Sequence, residues 1–411
     1  MAANVLLSSV KISFFGNFGS ANTGNESVLL AIISRLRVLY PTGDFRCICS
    51  NPEAVTARYG IQAVAFSTSE ARLWDRNLPM IRRACMAFAA LAAELGQFIR
   101  AFRILRGTDM LIVPGTGLLT DAHGIHGWGP YSMSRWVLMA KLRHARVLFV
   151  CVGAGPITSR AGGRLLRMSL ALASYRSYRD EPSRECIRRV GVNTERDRIY
   201  PDLAFSLPEA ILPGDRSSLP GTKRVVGLGL MAYSPDDSRL GRGPDTYRKY
   251  LDALVVFAEW LFEHGYEIRL LLGDGDTGAI DDFRSVLEVR LDGSYEGRLI
   301  EQPFGSVQDV LNAVAATDVV VATRFHNVLL SLVLNKPVIA ISFHHKCSSL
   351  MQQMKLSEYC HEIHEMDAAR LIEQFQLLEQ NQDAIRSMIA DGVSHARVAL
   401  DEQYNRLFVS A

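Results

Sequence analysis

Arg324 and His326 stand two residues apart at the end of the apolar run in VVVATRFHN. Such a run reads as a buried strand, and open α/β sheets present their ligand-binding groups at the ends of strands. Arginine there supplies a fixed cation whose planar fork suits phosphate or carboxylate. Imidazole gives or takes a proton near neutral pH. A lone histidine would be read as structural. With an arginine beside it, the pair reads as an anion-holding, proton-transferring site, with His326 and Arg324 as the catalytic candidates. The next apolar run ends in Ser342-Phe343-His344-His345-Lys346, which makes His344 and Lys346 candidate ligand-binding residues.

The N-terminal half carries glycine-rich loops of the same kind. Gly16-Asn17-Phe18-Gly19-Ser20-Ala21-Asn22-Thr23-Gly24-Asn25-Glu26 leaves a first strand and opens a helix. Glycines permit tight backbone turns, and a helix N-terminus offers free N–H groups to an anion. Gly16, Asn22, Gly24 and Glu26 are therefore candidates, although Thr23 or Asn25 acting as a plain helix cap is an equal reading. The loop lacks the lysine of a P-loop and is not GxGxxG. Pro114-Gly115-Thr116-Gly117, continuing to Asp121, ends another apolar run, and Gly153-Ala154-Gly155-Pro156 a third. Both suit close approach of a phosphate or sugar, which adds Gly115, Thr116, Gly117, Asp121, Gly153 and Gly155. At Arg176-Ser177-Tyr178-Arg179-Asp180-Glu181 a strand ends in alternating charges. Arg179 there is either an anion clamp or half of an Arg–Asp pair. His123, His126 and Trp128 follow Asp121 without an evident third ligand, so no metal site is expected.

These loops require a scaffold of strands alternating with helices. Strands are expected at 10–15, 45–50, 110–113, 147–152, 176–179 and 199–201, then at 225–230, 267–272, 299–302, 319–322 and 338–342. Helices are expected at 26–40, 132–143, 163–173, 247–264, 307–315 and 326–334. Alternation of this kind predicts parallel sheets covered by helices, an α/β protein of two Rossmann-like domains. The proline- and glycine-rich stretch LPEAILPGDRSSLPGTK divides them. The expected domains are 1–207 and 223–385, with a linker at 208–222 and a helical tail at 386–411.

A chain of 411 residues suits two domains. Its 45 basic and 43 acidic residues leave a net charge of +2, too balanced for a duplex-binding protein, so nucleic acid is excluded as partner. Seven cysteines without repeated ligand spacing argue for a reducing cytoplasm. The N-terminus carries no basic region before an apolar core, so no signal peptide is expected. The segment 82–106, RRACMAFAALAAELGQFIRAFRILR, is expected first as a buried helix whose Ala84, Met86, Phe88, Leu91 and Leu95 fill the core. A basic-flanked helix lying on a membrane surface is the second reading. Its uninterrupted apolar run is too short to span.

The ordered motifs GNFGSANTGNES, PGTGLLTD, GAGPI, YRDEPS, PDLAF, RFHNVLLSLVLNKPVIAIS and HHK resemble the polysaccharide pyruvyl transferase family, over most of the chain from about Ser13 to Leu356. Phe325 stands where the family usually has leucine, and Asn25-Glu26 where it usually has an acidic pair. The resemblance implies two Rossmann-like domains similar to GT-B type glycosyltransferases. It implies phosphoenolpyruvate as donor, a sugar or lipid-linked oligosaccharide as acceptor, and a pyruvate ketal and phosphate as products, without a cofactor. It places the family's Arg-x-His pair on Arg324 and His326 and its Arg-Asp-Glu strand end on Arg179, Asp180 and Glu181. Arginines from both domains would hold the donor, His326 would transfer a proton, and Asp121 or Glu26 would deprotonate the acceptor. Peripheral contact with the inner face of a membrane follows from a lipid-linked acceptor. The rival readings are a nucleotide-sugar glycosyltransferase of the same architecture and a non-catalytic glycan-binding protein.

Overall fold

The computed structural model describes residues 10–20, 22–68, 80–124, 126, 129–215, 223–232, 244–271, 277–293, 295, 297–302, 304–343 and 345–409. The chain forms two compact units. The first comprises Met1–Ser20, Val28–Leu203 and Phe408–Ala411; the second comprises Ala21–Ser27 and Ala204–Leu407. The division falls at Leu203, and both residues 208–215 and the helical tail up to Leu407 are part of the second unit.

The first unit is built on a seven-stranded sheet in the order β3-β2-β1-β4-β5-β6-β7, all parallel. Its strands are β1 (Lys11–Phe15), β2 (Asp44–Cys49), β3 (Gln62–Ala65), β4 (Met110–Pro114), β5 (Arg146–Val152), β6 (Tyr175–Tyr178) and β7 (Arg198–Ile199). The central strands are buried throughout, which is why they read as continuous apolar runs instead of alternating ones. Helices α1 (Thr23–Leu39) and α2 (Pro52–Tyr59) link the strands on one side of β1. The local signals for α2 are complete: Asn51 caps it by accepting from Ala54 N at 3.2 Å, Pro52 opens it, and Gly60 ends it at φ +63°. Helices α3 (Met80–Ile104), α4 (Pro130–Leu142), α5 (Arg160–Ala171) and α6 (Glu181–Arg189) follow the strands on the other side. Right-handed crossovers place these two groups on opposite faces, with α3, α4 and α5 packed side by side. Each crossover helix runs antiparallel to its strands, so helix N-termini gather at the carboxyl edge of the sheet.

The second unit repeats the plan with six parallel strands in the order β10-β9-β8-β11-β12-β13. They are β8 (Val225–Gly229), β9 (Glu267–Leu270), β10 (Leu299–Ile300), β11 (Val319–Ala322), β12 (Val338–Ser342) and β13 (Cys360–Glu362). The helices are α7 (Pro244–Glu263), α8 (Thr277–Leu291), α9 (Val307–Ala315), α10 (Phe325–Val333), α11 (His345–Gln353), α12 (Ala368–Gln380) and α13 (Gln382–Tyr404). The strands not expected from sequence, β3 and β13, are both edge strands with weak apolar character.

Helix α3 corrects the expectation of a core helix. Its C-terminal half is anchored: Ala101 and Leu105 lie in the core, and Glu94 pairs with Arg135 of α4 at 2.7 Å. Gln97 Nε2 donates to Thr68 Oγ1 at 2.8 Å. Its N-terminal half stands out of the unit, with Phe88 75%, Leu91 69% and Leu95 61% exposed. An apolar composition identified the helix but could not say whether protein would cover it.

Candidate functional site

At the carboxyl edge of the first sheet the backbone loops approach too closely to admit side chains. Gly115 sits against the Cys151 carbonyl, where an added Cβ would lie 2.8 Å from the oxygen. Gly153 N donates to Thr116 O at 3.0 Å, and Gly155 N donates to Leu119 O at 3.1 Å, so the loops after β4 and β5 are zipped together. Gly155 packs on Thr120 and Gly16 on the Phe18 ring. These glycines therefore shape the rim by close packing. Within it the Thr116 hydroxyl is buried and has no hydrogen-bond partner among the described residues. A buried orphan hydroxyl destabilises a fold, so its presence at a strand end makes it a candidate ligand contact.

Two expected site residues are engaged in holding this rim. The Arg179 guanidinium is 5% exposed and lies across Gly153, where a Cβ would come within 2.8 Å of its carbon. It pairs with Asp202 at 3.2 Å and with Asp180 at 3.4 Å. Asp180 in turn caps α6, accepting from Ser183 N at 2.7 Å. Of the two readings its position left open, the structure shows the pair: Arg179 is bracketed by two carboxylates. Asp202 was not singled out by sequence, although the PDLAF motif contains it. Asp121 is likewise committed. It accepts from Thr158 N at 2.8 Å and Oγ1 at 3.2 Å, and from Ser159 N and Oγ, both at 2.6 Å. Burial alone would raise its pKa, but these bonds outweigh it and hold the carboxyl below its ordinary value. A carboxylate so saturated is a loop anchor and a poor base, which corrects its candidacy as one. Of the histidines that follow it, His126 packs near Tyr131 at 5.5 Å between ring centroids. Trp128 lies outside the described residues.

In the second unit, Arg324 is the N-cap of α10 and His326 lies in its first turn, at the carboxyl end of β11. Both are half-buried. Phe325 stands edge-on to the imidazole, centroids 4.9 Å apart. The junction is braced from beneath. Met231 N donates to Tyr250 Oη at 3.2 Å, and Tyr250 Oη shares a 2.8 Å hydrogen bond with Thr323 Oγ1. Asn327 Nδ2 donates to the Leu271 carbonyl at 3.3 Å. Tyr250, Thr323 and Asn327 are buried, and none was identified from sequence because their roles depend on contacts far along the chain.

The first turn of α1 belongs to this unit, and it meets His326 directly. At Gly24 an added Cβ would lie 2.0 Å from both Nδ1 and Cε1 of the imidazole. Asn22 caps the helix by accepting from Asn25 N at 2.8 Å, which sets Gly24 against the ring. Glu26, two residues on, is buried. Asn22 and Gly24 are therefore residues that place His326, and Glu26 remains a candidate base. Lys346 lies half-buried in the first turn of α11; His344 lies outside the described residues.

Each unit is thus a Rossmann-like domain with polar and cationic groups at its carboxyl edge. The fold resembles the GT-B architecture of two parallel-sheet α/β domains. Over 98% of both chains it matches a putative UDP-N-acetylglucosamine 2-epimerase of Listeria monocytogenes, with a TM-score of 0.63 at 11% identity. It matches Alr3699/HepE of Anabaena, solved in complex with UDP, with a TM-score of 0.61 at 12% identity, over 97% of this chain and 100% of that one. A sequence profile of the polysaccharide pyruvyl transferases matches residues 22–345, and the chain belongs to that family. The amylovoran biosynthesis protein AmsJ of Erwinia amylovora is 20% identical, over 95% of this chain and 97% of its own. The protein is a polysaccharide-modifying transferase.

Three outcomes follow from this geometry. Gly24→Ala should displace the imidazole and lower turnover at least tenfold while circular dichroism and the melting midpoint stay near wild type; unchanged turnover would remove Gly24 from the site. Thr116→Val should stabilise the protein in urea melts by about 1 kcal/mol and yet weaken substrate binding, whereas a purely structural threonine would give no binding loss. Asp121→Asn should destabilise by about 2 kcal/mol at pH 7. Because the folded pKa is depressed, wild type holds that advantage above the unfolded value, about 3.9. The difference should shrink as pH falls further through the folded pKa, and a pH-independent difference would overturn the assignment.

Proposed function

We propose that the protein transfers pyruvate from phosphoenolpyruvate to two hydroxyls of one sugar, forming a pyruvate ketal and releasing inorganic phosphate. The observation that carries this reading is the imidazole of His326 seated on Gly24 beside the Arg324 cap, in a chain of the polysaccharide pyruvyl transferase family. Phosphoenolpyruvate is a compact dianionic or trianionic molecule with a carboxylate and a phosphate. Arg324 suits one of these groups through its planar fork, and the N-terminal N–H groups of α10 offer further donors. Lys346 adds charge for the donor.

The reaction balances without any outside electron acceptor. A proton adds to the methylene carbon, and a sugar hydroxyl bonds to the neighbouring carbon as its own proton leaves. The carbon–oxygen bond to phosphate then breaks, and the second hydroxyl closes the ketal. One hydroxyl proton ends on the new methyl group and the other on phosphate. His326 is the group assigned to proton transfer at the donor. Glu26, buried in the adjoining helix turn, is the carboxylate assigned to the acceptor hydroxyl, since Asp121 is saturated. Arg179 serves indirectly, by holding the β5 and β6 loops around Thr116. No cofactor enters this scheme. The acceptor is a glycan, free or carried on a lipid, and the reading puts the enzyme in the cytoplasm, where phosphoenolpyruvate is made.

The test is release of inorganic phosphate from phosphoenolpyruvate in the presence and absence of candidate glycans. Glycan-dependent release is expected, with His326→Gln lowering turnover about 100-fold and Arg324→Lys raising the donor KM as the bidentate fork is lost. Turnover with a nucleotide sugar and none with phosphoenolpyruvate would overturn the proposal.

A further inference from the structure

Helix α3 leaves the first unit as an apolar rod. From Cys85 to Ala93 it carries no charged residue, and every side chain but the half-buried Met86 is exposed. The exposed apolar side chains Phe88, Leu91, Leu95 and Ile99 recur at intervals of three and four. The alanines at 87, 89, 90, 92 and 93 leave the other sides small and apolar as well. The large side chains form one stripe, but the apolar surface continues past it on the alanine sides. A second copy of the chain would cover a single face and leave the rest in water, whereas hydrocarbon would surround the rod. By length and composition 85–104 would suffice to cross a bilayer. Its C-terminal half, however, is committed to the protein core through Ala101 and Leu105, so only the projecting turns are available. These reach about 13 Å, a depth suited to one leaflet and its headgroups.

A second observation names the surface. Arg160, Arg164 and Arg167, spread over the first two turns of α5, line one cavity with Ile157 and Val190. The spacing of four and three places them on one helix face. All are exposed, and their side chains have no ion-pair or hydrogen-bond partner among the described residues. No acidic residue lies in the first turn of α5 to oppose them. Unpaired arginines on the same face of the first unit as an apolar projection match an anionic surface. The topology puts both features together: α3 and α5 flank α4 on one face of the first sheet, and their N-termini lie at its carboxyl edge. That is also the edge holding Gly115, Thr116 and Gly153.

We infer that the projecting half of α3 inserts into an anionic membrane while Arg160, Arg164 and Arg167 engage lipid phosphates. The carboxyl-edge loops of the first unit are then presented to the bilayer, and, on the function proposed above, to an acceptor glycan carried on a lipid. The expected arginines of the α3 segment contribute less. Arg100 is half-buried over Trp136, and only Arg103 and Arg106 are exposed among those described.

The test is flotation of the full chain with vesicles of phosphatidylcholine alone or with phosphatidylglycerol added. Wild type should float with the anionic vesicles at low salt and be released as salt rises. Each arginine changed to Gln at 160, 164 and 167 should weaken partitioning about fivefold. The variant F88E/L91E/L95E should keep wild-type circular dichroism and lose flotation at least tenfold. Wild type that stays at the bottom of the gradient with anionic vesicles at low salt overturns the inference. A lipid-free dimer that F88E/L91E/L95E separates in sedimentation velocity, with no flotation, would do so as well and would assign the rod to a second copy. Phosphate release with a water-soluble glycan should be unchanged in F88E/L91E/L95E. If wild type also fails in that assay, the proposed reaction fails while flotation still decides the docking.

Discussion

Backbone lies closer to its neighbours at the carboxyl edges of the two sheets than any side chain would permit, and the functional groups are placed by that closeness. Gly24 brings the first turn of α1 onto the His326 ring, and Gly153 lets the Arg179 guanidinium lie flat across the β5 loop. Gly229, at the end of β8, has the same relation to Asn327, whose amide would meet an added Cβ at 2.9 Å. A side chain introduced at these positions must push aside the His326 ring, or Arg179 or Asn327, both of which are hydrogen-bonded in place. The glycines are therefore demanded by packing at short range, with no need of an unusual φ at Gly24 or Gly153. Their clustering at strand ends ties the fold to the site.

Buried charge gives these contacts their rigidity. Arg179 with Asp180 and Asp202, and Arg176 with Asp197, are held within 3.4 Å, while buried Lys336 reaches the exposed Asp215 at 2.6 Å. Desolvation makes such pairs weak contributors to net stability, but removing one partner leaves the other uncompensated, which is costly. Their effect is to specify geometry. Lys336 is an example: its amine also donates to Thr317 O at 2.6 Å, and burial lowers its pKa despite Asp215. At Arg179 the same logic fixes the end of β6 and the cap of α6 together.

The two units divide the work unequally. The second holds the half-exposed Arg324 and His326, braced by Tyr250, Thr323 and Asn327, and suits proton transfer beside an anion. The first holds a rim of glycine loops around the Thr116 hydroxyl and a helix that leaves the domain uncovered. Helix α3 shows why apolar composition and burial are separate facts. Its first half has the residues of a core and the surroundings of a surface.

Much of this protein was determined locally. Buried parallel strands need unbroken apolar runs, so their positions were legible from residue type, and the doubly wound plan followed from their alternation with helices. The motif Arg-Phe-His-Asn singled out one strand end as the candidate site, because it sets a cation and an imidazole two residues apart. Edge strands β3 and β13, buried on fewer sides, left no such run. What only the tertiary structure decided was which charges are already engaged. Asp121 and Arg179 read as site residues because type and position alone cannot reveal Ser159 or Asp202 across a fold. Nor could they reveal that Gly24, some three hundred residues away in sequence, lies against His326. Exposure of α3 was undecided for the same reason: hydrophobicity belongs to the residue, but burial belongs to the neighbours the fold supplies.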